Sequence, residues 1–429
     1  MFSTAVLVLL IMLVALILFV TEVVPLPVTA MSTAVAFYLI GAVDANTALK
    51  SFASGTAMII AAMAVIGESV FKTGGAAKIG QLLVKFANGS ERVLVFAIVM
   101  FSGLMSGFLS NTGAAALLIA LILGMCSSMK LNRAKLILPV IVGCCFGGGI
   151  TIVGTTSGPF LKEALENLNI GQTMDFFEFA PLAITLLIVS AIYMSTIGYK
   201  LLPDKPRNAD DESILGDKVP DFSNVPQWKT RVSMLVMFGT LLGMIFEKQI
   251  GIPLHFTAII GALIVVASKC ISMKEASRAI PMSGLIIYAA MVPVASAMKN
   301  SGAAKMIADF ALNAMGSSTS PIVVLLIIFL IITPITQFMS NAATIILFTP
   351  IAIVIANSLG IGVKAMLVAV RFAASIAIAT PVAMPANSMA VEPGGYAFMD
   401  YFKPGFPLTI ICIIISIAYI AIFYPLTMG

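Results

Sequence analysis

The fold this sequence predicts is an all-α polytopic membrane protein made of two inverted repeats, each with five spans, an interfacial helix and a re-entrant hairpin. Three observations carry that expectation. The composition is too apolar for a water-soluble domain, apolar stretches recur from end to end, and the two halves match locally at a nearly constant offset. Of 429 residues, 60% are hydrophobic and 10% charged, whereas a soluble domain carries roughly 25% charge. Mean hydropathy is +1.09. A spanning helix needs about 20 apolar residues, and there is room for many.

The elements follow in order. The run 4–22 lacks the basic flank and small-residue cleavage site of a signal peptide, so it reads as a retained span. Spans are expected near 29–47 and 56–71. Residues 74–88 set Lys78 and Lys85 among Ile79, Leu82, Leu83, Val84 and Phe86, which suits a helix lying in the interface. The apolar stretch 93–128 is broken at Ser110-Asn111-Thr112. A span near 134–168 is interrupted by Gly147-Gly148-Gly149 and again by Gly154-Thr155-Thr156-Ser157-Gly158-Pro159. The first half closes with a span over about 178–199. Asp, Lys, Glu, Asn and Pro then dominate the only long polar linker. The expected division is 1–202 as first repeat, 203–228 as cytoplasmic linker and 229–429 as second repeat.

Four matches support the duplication. Pro25–Ala30 resembles Pro253–Ala258, and Lys72–Lys78 resembles Lys299–Lys305, at offsets of 228 and 227. Ser106-Gly107-Phe108-Leu109-Ser110-Asn111-Thr112 returns as Thr336-Gln337-Phe338-Met339-Ser340-Asn341-Ala342 at 230, and Thr151–Gly154 as Thr380–Ala383 at 229. Four matches in order at nearly constant spacing mark an internal repeat. An odd number of spans per copy forces tandem copies into opposite orientations. With the linker in the cytoplasm, 17 Lys and Arg fall inside and 6 outside, with Arg371 left within a span. That agrees with the positive-inside rule and puts both termini outside.

A polar break inside an apolar span persists where it is buried in protein or lines a cavity. A helix ending there frees N–H groups at its N-terminus, which favour anions, and carbonyls at its C-terminus, which suit a cation. The Ser-Asn tips offer both. Pro381 and Pro385 disrupt the helical ladder of the second Gly/Pro-rich break. The competing account is packing, because Ser, Thr and Gly are common at helix contacts in membranes. Arg371 reads equally as a functional cation or as the partner of a helix-end carbonyl. Glu22, Glu68 and Asp309 sit near span ends, where snorkelling explains them, and His255 is expected at the surface. Five cysteines without metal spacing and one histidine exclude a His/Cys metal centre. No nucleic-acid partner is indicated, and no catalytic constellation argues for an enzyme.

Paired Ser-Asn motifs on hairpins, each followed by a Gly/Pro-rich break, resemble the divalent anion–sodium symporter family (solute carrier family 13 type) of the ion transporter superfamily. Thr21–Pro27 and the Lys72–Lys78 segment strengthen the resemblance, which covers essentially the whole chain. The resemblance implies sodium-coupled symport of a small di- or tricarboxylate across the inner (cytoplasmic) membrane by a homodimer with an elevator mechanism. It implies a first sodium site at Ser106, Ser110, Asn111 and Gly148, and a second at Thr336, Met339, Asn341 and Ala377. Substrate would meet Ser110, Asn111, Thr112, Ser340, Asn341 and Ala342, with Thr155 and Pro381 shaping the pocket. Two positions depart from the family pattern. Ala342 stands where a Thr is expected, and Thr155-Thr156-Ser157-Gly158 replaces Thr-Pro-Pro-Asn, whereas Met384-Pro385-Ala386-Asn387 keeps one Pro and the Asn. Proton coupling, exchange, transport of a sulfate-like oxyanion and an anion channel remain the alternatives.

Overall fold

The structure is a computed structural model that describes residues 3–21, 23–75, 90–129, 131–168, 170–207, 222, 225–303, 306 and 320–427. The expected interfacial helix with Lys78 and Lys85 falls almost wholly outside the described residues. So do Glu22, Lys305, Asp309 and most of the linker. No β-strand occurs among the described residues; a lone bridge joins Ile361 to Thr427.

The first half contributes α1 (Thr4–Thr21), α2 (Leu26–Leu39), α3 (Ala45–Leu49), α4 (Gly55–Lys72), α5 (Glu91–Ser106), α6 (Asn111–Met129), α7 (Arg133–Gly147), α8 (Ser157–Glu166) and α9 (Ala180–Tyr193). The second contributes α10 (Gln227–Ile245), α11 (Leu254–Ala267), α12 (Met273–Ala279), α13 (Met282–Met291), α14 (Pro293–Ser301), α15 (Pro321–Thr336), α16 (Asn341–Leu359), α17 (Val363–Ser375), α18 (Pro385–Gly394) and α19 (Phe398–Phe423). Lengths repeat across the halves. α5 and α15 have 16 residues each, α6 and α16 have 19, and α8 and α18 have 10.

Side chains set the boundaries. Ser54, Ser90, Asn132 and Ser340 accept the N–H of Ala57, Arg92, Ala134 and Ala343, satisfying first-turn donors of α4, α5, α7 and α16. The span expected over 29–47 stops early. Gly41 adopts a left-handed φ of 71°, and Gly41 and Ala42 donate back to Tyr38 and Phe37, a Schellman stop that satisfies the last carbonyls. Asp44 then caps α3 through Thr47 at 2.7 Å.

Burial separates the helices by role. Every residue of α7 is buried, and so is α17 apart from Lys364; helices apolar all round belong in a core. α1, α11 and α19 instead expose Leu13, Leu263, Ile414 and Ile422, as helices do when lipid is their solvent. Among the described residues, five helical stretches are long and apolar enough to cross a membrane, by length and composition.

Packing sorts the helices into two groups. α1–α4 and α10–α14 pack on one another, while α5–α9 and α15–α19 form the second group. The groups meet where α4 touches α6 and α8, and where α13 and α14 touch α16. Pairings across the halves come in both senses. α8 packs on α16 and α18 on α6; α8 packs on α17 and α18 on α7; α2 packs on α13 and α11 on α4.

Candidate functional site

Each tip is built by the same three oxygens. In the first half the Ser106 hydroxyl, at the last turn of α5, lies 2.7 Å from Asn111 Oδ1 and 3.0 Å from the Cys144 carbonyl of α7. In the second, Thr336 at the last turn of α15 lies 3.1 Å from Asn341 Oδ1 and 2.7 Å from the Ala374 carbonyl of α17. The spacings agree at 5 and 38 residues in both halves. One hydroxyl proton serves one of its two acceptors at a time, so each cluster keeps an oxygen with unmet demand for positive charge. Accepting at Oδ1 also fixes the amide. Neither Asn111 Nδ2 nor Asn341 Nδ2 has a partner among the described residues, and each remains a donor for a ligand.

The serines hold the starts of the tip helices. Ser110 Oγ accepts the Gly113 N–H at 3.2 Å and Ser340 Oγ the Ala343 N–H at 3.3 Å. Their hydroxyl protons stay available to an anion, and the N-terminal dipoles of α6 and α16 add attraction. Ser110 and Thr112 are exposed, Asn111, Ser340, Asn341 and Ala342 half-buried, and Met339 fully buried.

The breaks lie against the tips. Thr151 donates to the Gly107 carbonyl at 2.6 Å, and its counterpart Thr380 donates to the Gln337 carbonyl. Gly148, just past the end of α7, sits so close to the first tip that a Cβ there would fall 2.4 Å from Asn111 Oδ1. Expected site residues Ser106, Ser110, Asn111 and Gly148 therefore gather in one cluster. Thr336, Asn341 and the α17 end, with Ala377, gather in another. Pro381 uses its carbonyl to accept from Ser388 at 2.9 Å. Thr155 does not stand free: its hydroxyl accepts from Arg371 Nη1 at 2.7 Å.

Arg371 is the residue whose role the sequence left open. It lies in α17, 1% exposed, and crosses to the other half. There Nη1 also donates to Ser157 Oγ at 2.7 Å, and Nη2 to the Gly148 carbonyl at 3.0 Å. Its guanidinium lies 5.3 Å from the Phe179 ring centroid. The two readings of Arg371 thus merge, since the helix-end carbonyl it meets belongs to the expected first cation site.

Gln337 and Asn387 were also missed as working residues. Gln337 Nε2 donates to Ile376 O at 2.6 Å, and its Oε1 accepts from Ala379 N at 3.0 Å. Asn387 Nδ2 donates to Ala377 O at 3.0 Å and Thr380 O at 2.7 Å. The signal was their type, neutral amides beside freed carbonyls.

His255 corrects an expectation. Rather than lying at the surface it is half-buried, its ring packed on Gly55, where a Cβ would meet Nδ1 at 2.8 Å. It lines a cavity of about 310 Å³ with Ser54, Lys162, Glu163 and Glu247. Beside it Tyr288 of α13 bonds both Ser54 and Glu163 of α8, bridging the two helix groups.

Among known proteins, the CitMHS family model, described as a citrate transporter, matches residues 16–369 and 243–428. An uncharacterized transporter from Synechocystis is 22% identical over 574 residues, covering 92% of this chain and 93% of its own. The sodium-dependent high-affinity dicarboxylate transporter 3 of Caenorhabditis elegans is 22% identical over 461 residues, covering 93% and 80%. The crystal structure of the Alcanivorax borkumensis YdaH transporter is similar in fold, with a TM-score of 0.64 at 15% identity over 99% of this chain and 100% of that one.

Proposed function

This chain belongs to the CitMHS citrate transporter family, and on that premise we propose that it couples sodium to the uptake of a small di- or tricarboxylate across a cytoplasmic membrane. It is a multi-pass membrane transporter and not an enzyme. The observation that carries the reading is the duplicated hydroxyl–amide–carbonyl cluster at the two tips, each lying at a helix N-terminus. Converging oxygens suit sodium, and free hydroxyls, amides and helix N-termini suit a carboxylate. Ser110, Asn111 and Thr112 would meet one end of the substrate, and Ser340, Asn341 and Ala342 the other. Thr155 and Pro381 would border the pocket. Met339 and Ala377 would complete the second cation site. Bound sodium would offset the anion's charge, which is the coupling.

The halves 1–202 and 229–429 would be inverted repeats joined by a cytoplasmic linker. Support comes from the helix pairings that occur in both senses, as a two-fold relation requires, and from the odd span count that the sequence predicts for each half. An elevator motion would carry the second helix group past the first, parting Tyr288 from Glu163. A homodimer would be held by the first group, as the family resemblance implies.

The test is uptake of labelled succinate, citrate and sulfate into proteoliposomes, in sodium or choline buffer. Uptake that needs sodium is expected, and Asn111→Ala and Asn341→Ala should each lower it. Equal uptake in choline would reject sodium coupling in favour of protons or exchange. Unsaturable flux down the gradient would mean a channel.

A further inference from the structure

We propose that Arg371 is a built-in cation occupying the place of the first of two coupled sodium ions, so that one half of the site is neutralised permanently and only the other exchanges sodium. The proposal rests on the symport reading above and fixes its stoichiometry.

The two halves differ at one equivalent position. Gly148 and Ala377 are counterparts at the offset of 229 found for Thr151 and Thr380, and both carbonyls lie just past the end of a buried helix. Such carbonyls carry partial negative charge and attract cations. At Ala377 the carbonyl meets a neutral amide, Asn387 Nδ2, at 3.0 Å. At Gly148 it meets a guanidinium, Arg371 Nη2, at the same 3.0 Å. The counterpart of Asn387 is Gly158, where a Cβ would fall 1.9 Å from Ile152 O. No asparagine fits there, and Arg371 supplies the donor instead. Nothing answers it in the second half, because the positions matching Arg371 are Ile141 and Val142.

Two further observations point the same way. Asn387 Oδ1 is buried with no partner among the described residues, so the second half retains an oxygen suited to a cation. Arg371 makes no ion pair with any described carboxylate, and it engages Thr155, which borders the proposed pocket. A buried charge without a counter-ion is costly; a substrate carboxylate beside Thr155 would supply one. The fixed charge also differs from sodium in its energetics. It crosses loaded and returns empty with the protein, so it lowers the cost of holding an anion without adding to the driving force. A dianion carried with one sodium moves a net negative charge, whereas with two it would move none.

Equilibrium binding of radiolabelled sodium to the purified protein decides the matter, with ionic strength held by choline. The wild type should bind one sodium per chain. Asn341→Ala should lose it and Asn111→Ala should keep it, with half-saturation within about threefold. Arg371→Gln, which makes the first half resemble the second, should gain a second sodium, and Arg371→Lys should stay at one. Two sodium ions on the wild type, loss in Asn111→Ala instead of Asn341→Ala, or no gain in Arg371→Gln would overturn the proposal and leave symport standing. No sodium on the wild type would overturn the symport reading itself. If Arg371→Gln does not fold, the wild-type count and the two asparagine variants still decide.

Discussion

The thiol of Cys145 donates to the carbonyl of Ser375 at 2.8 Å, and the two residues stand 230 positions apart, the offset that relates the two tips. If the halves are repeats, each is the other's counterpart. Under the proposed inverted repeat, residues related by a two-fold axis touch only close to it, which would put the approach of α7 to α17 at Cys145 and Ser375 near that axis. Cys145 is 3% exposed. Cys145→Ser keeps a donor of similar size and should unfold near the wild-type temperature in detergent. Cys145→Leu forces extra volume into the crossing and should cost about 1–3 kcal/mol, read as a lower unfolding temperature.

Gly148 allows no side chain. A Cβ would fall 2.4 Å from Asn111 Oδ1 and 2.8 Å from Thr155 Cγ2, so Gly148→Ala must push the first tip away from the break. Uptake should fall on the order of tenfold or more, because displacing a positioned group by about 1 Å is expensive. Gly239 serves as the control. It lies within α10 with nothing within 4 Å of a Cβ, and Gly239→Ala should leave uptake intact while stabilising by about 0.5–1 kcal/mol.

The sequence carried the tips because their chemistry is written in residue type and spacing. Ser106 and Thr336 fall five positions before Asn111 and Asn341, and a fixed offset survives any amount of drift in the apolar filler between them. The extent of the apolar stretches was harder to read. Ala42 and Val43 prolong the apolar run past Gly41, and only the backbone turn at Gly41 reveals the stop. The target of Arg371 was out of reach for a different reason: Gly148 lies 223 residues away in the other half. No pattern within one half announces a side chain borrowed from the other. The missing Asn at Gly158 was visible as a departure, but its replacement required coordinates.

Tyr396 breaks into a helix. Its hydroxyl accepts the Leu138 N–H and donates to the Ala134 carbonyl, both at 2.9 Å. Those two groups would otherwise bond each other in the ladder of α7, so the inserted hydroxyl opens the turn just before Pro139. Tyr396→Phe leaves a buried donor and acceptor to find each other across a widened gap. A loss of about 1–3 kcal/mol is expected, measured by thermal unfolding. Restoration of full stability by the Phe variant would mean that the helix closes without cost.

Lys135 gathers the chain that follows α9. Its ammonium donates to the carbonyls of Tyr199 at 3.0 Å and Leu202 at 2.7 Å, and pairs with Asp204 at 2.9 Å. The hydrogen bond from Lys135 holds the Asp204 carboxyl below its ordinary value of 3.8. A carboxyl depressed by folding contributes stability that is fully present above its unfolded value and is lost as pH falls through its folded one. The wild type should therefore lose stability below about pH 4 more steeply than Asp204→Asn, and the two curves should converge in acid. Because Asp204 is exposed, the gap between them should be small and should shrink in high salt. Lys135→Met should behave differently. It strands two carbonyls as well as the carboxylate, so its loss should be larger, persist across neutral pH and resist salt. Unfolding temperatures from pH 3 to pH 7 in low and high salt separate the two variants, and a salt-sensitive loss in Lys135→Met would mean that the carbonyl contacts carry no weight.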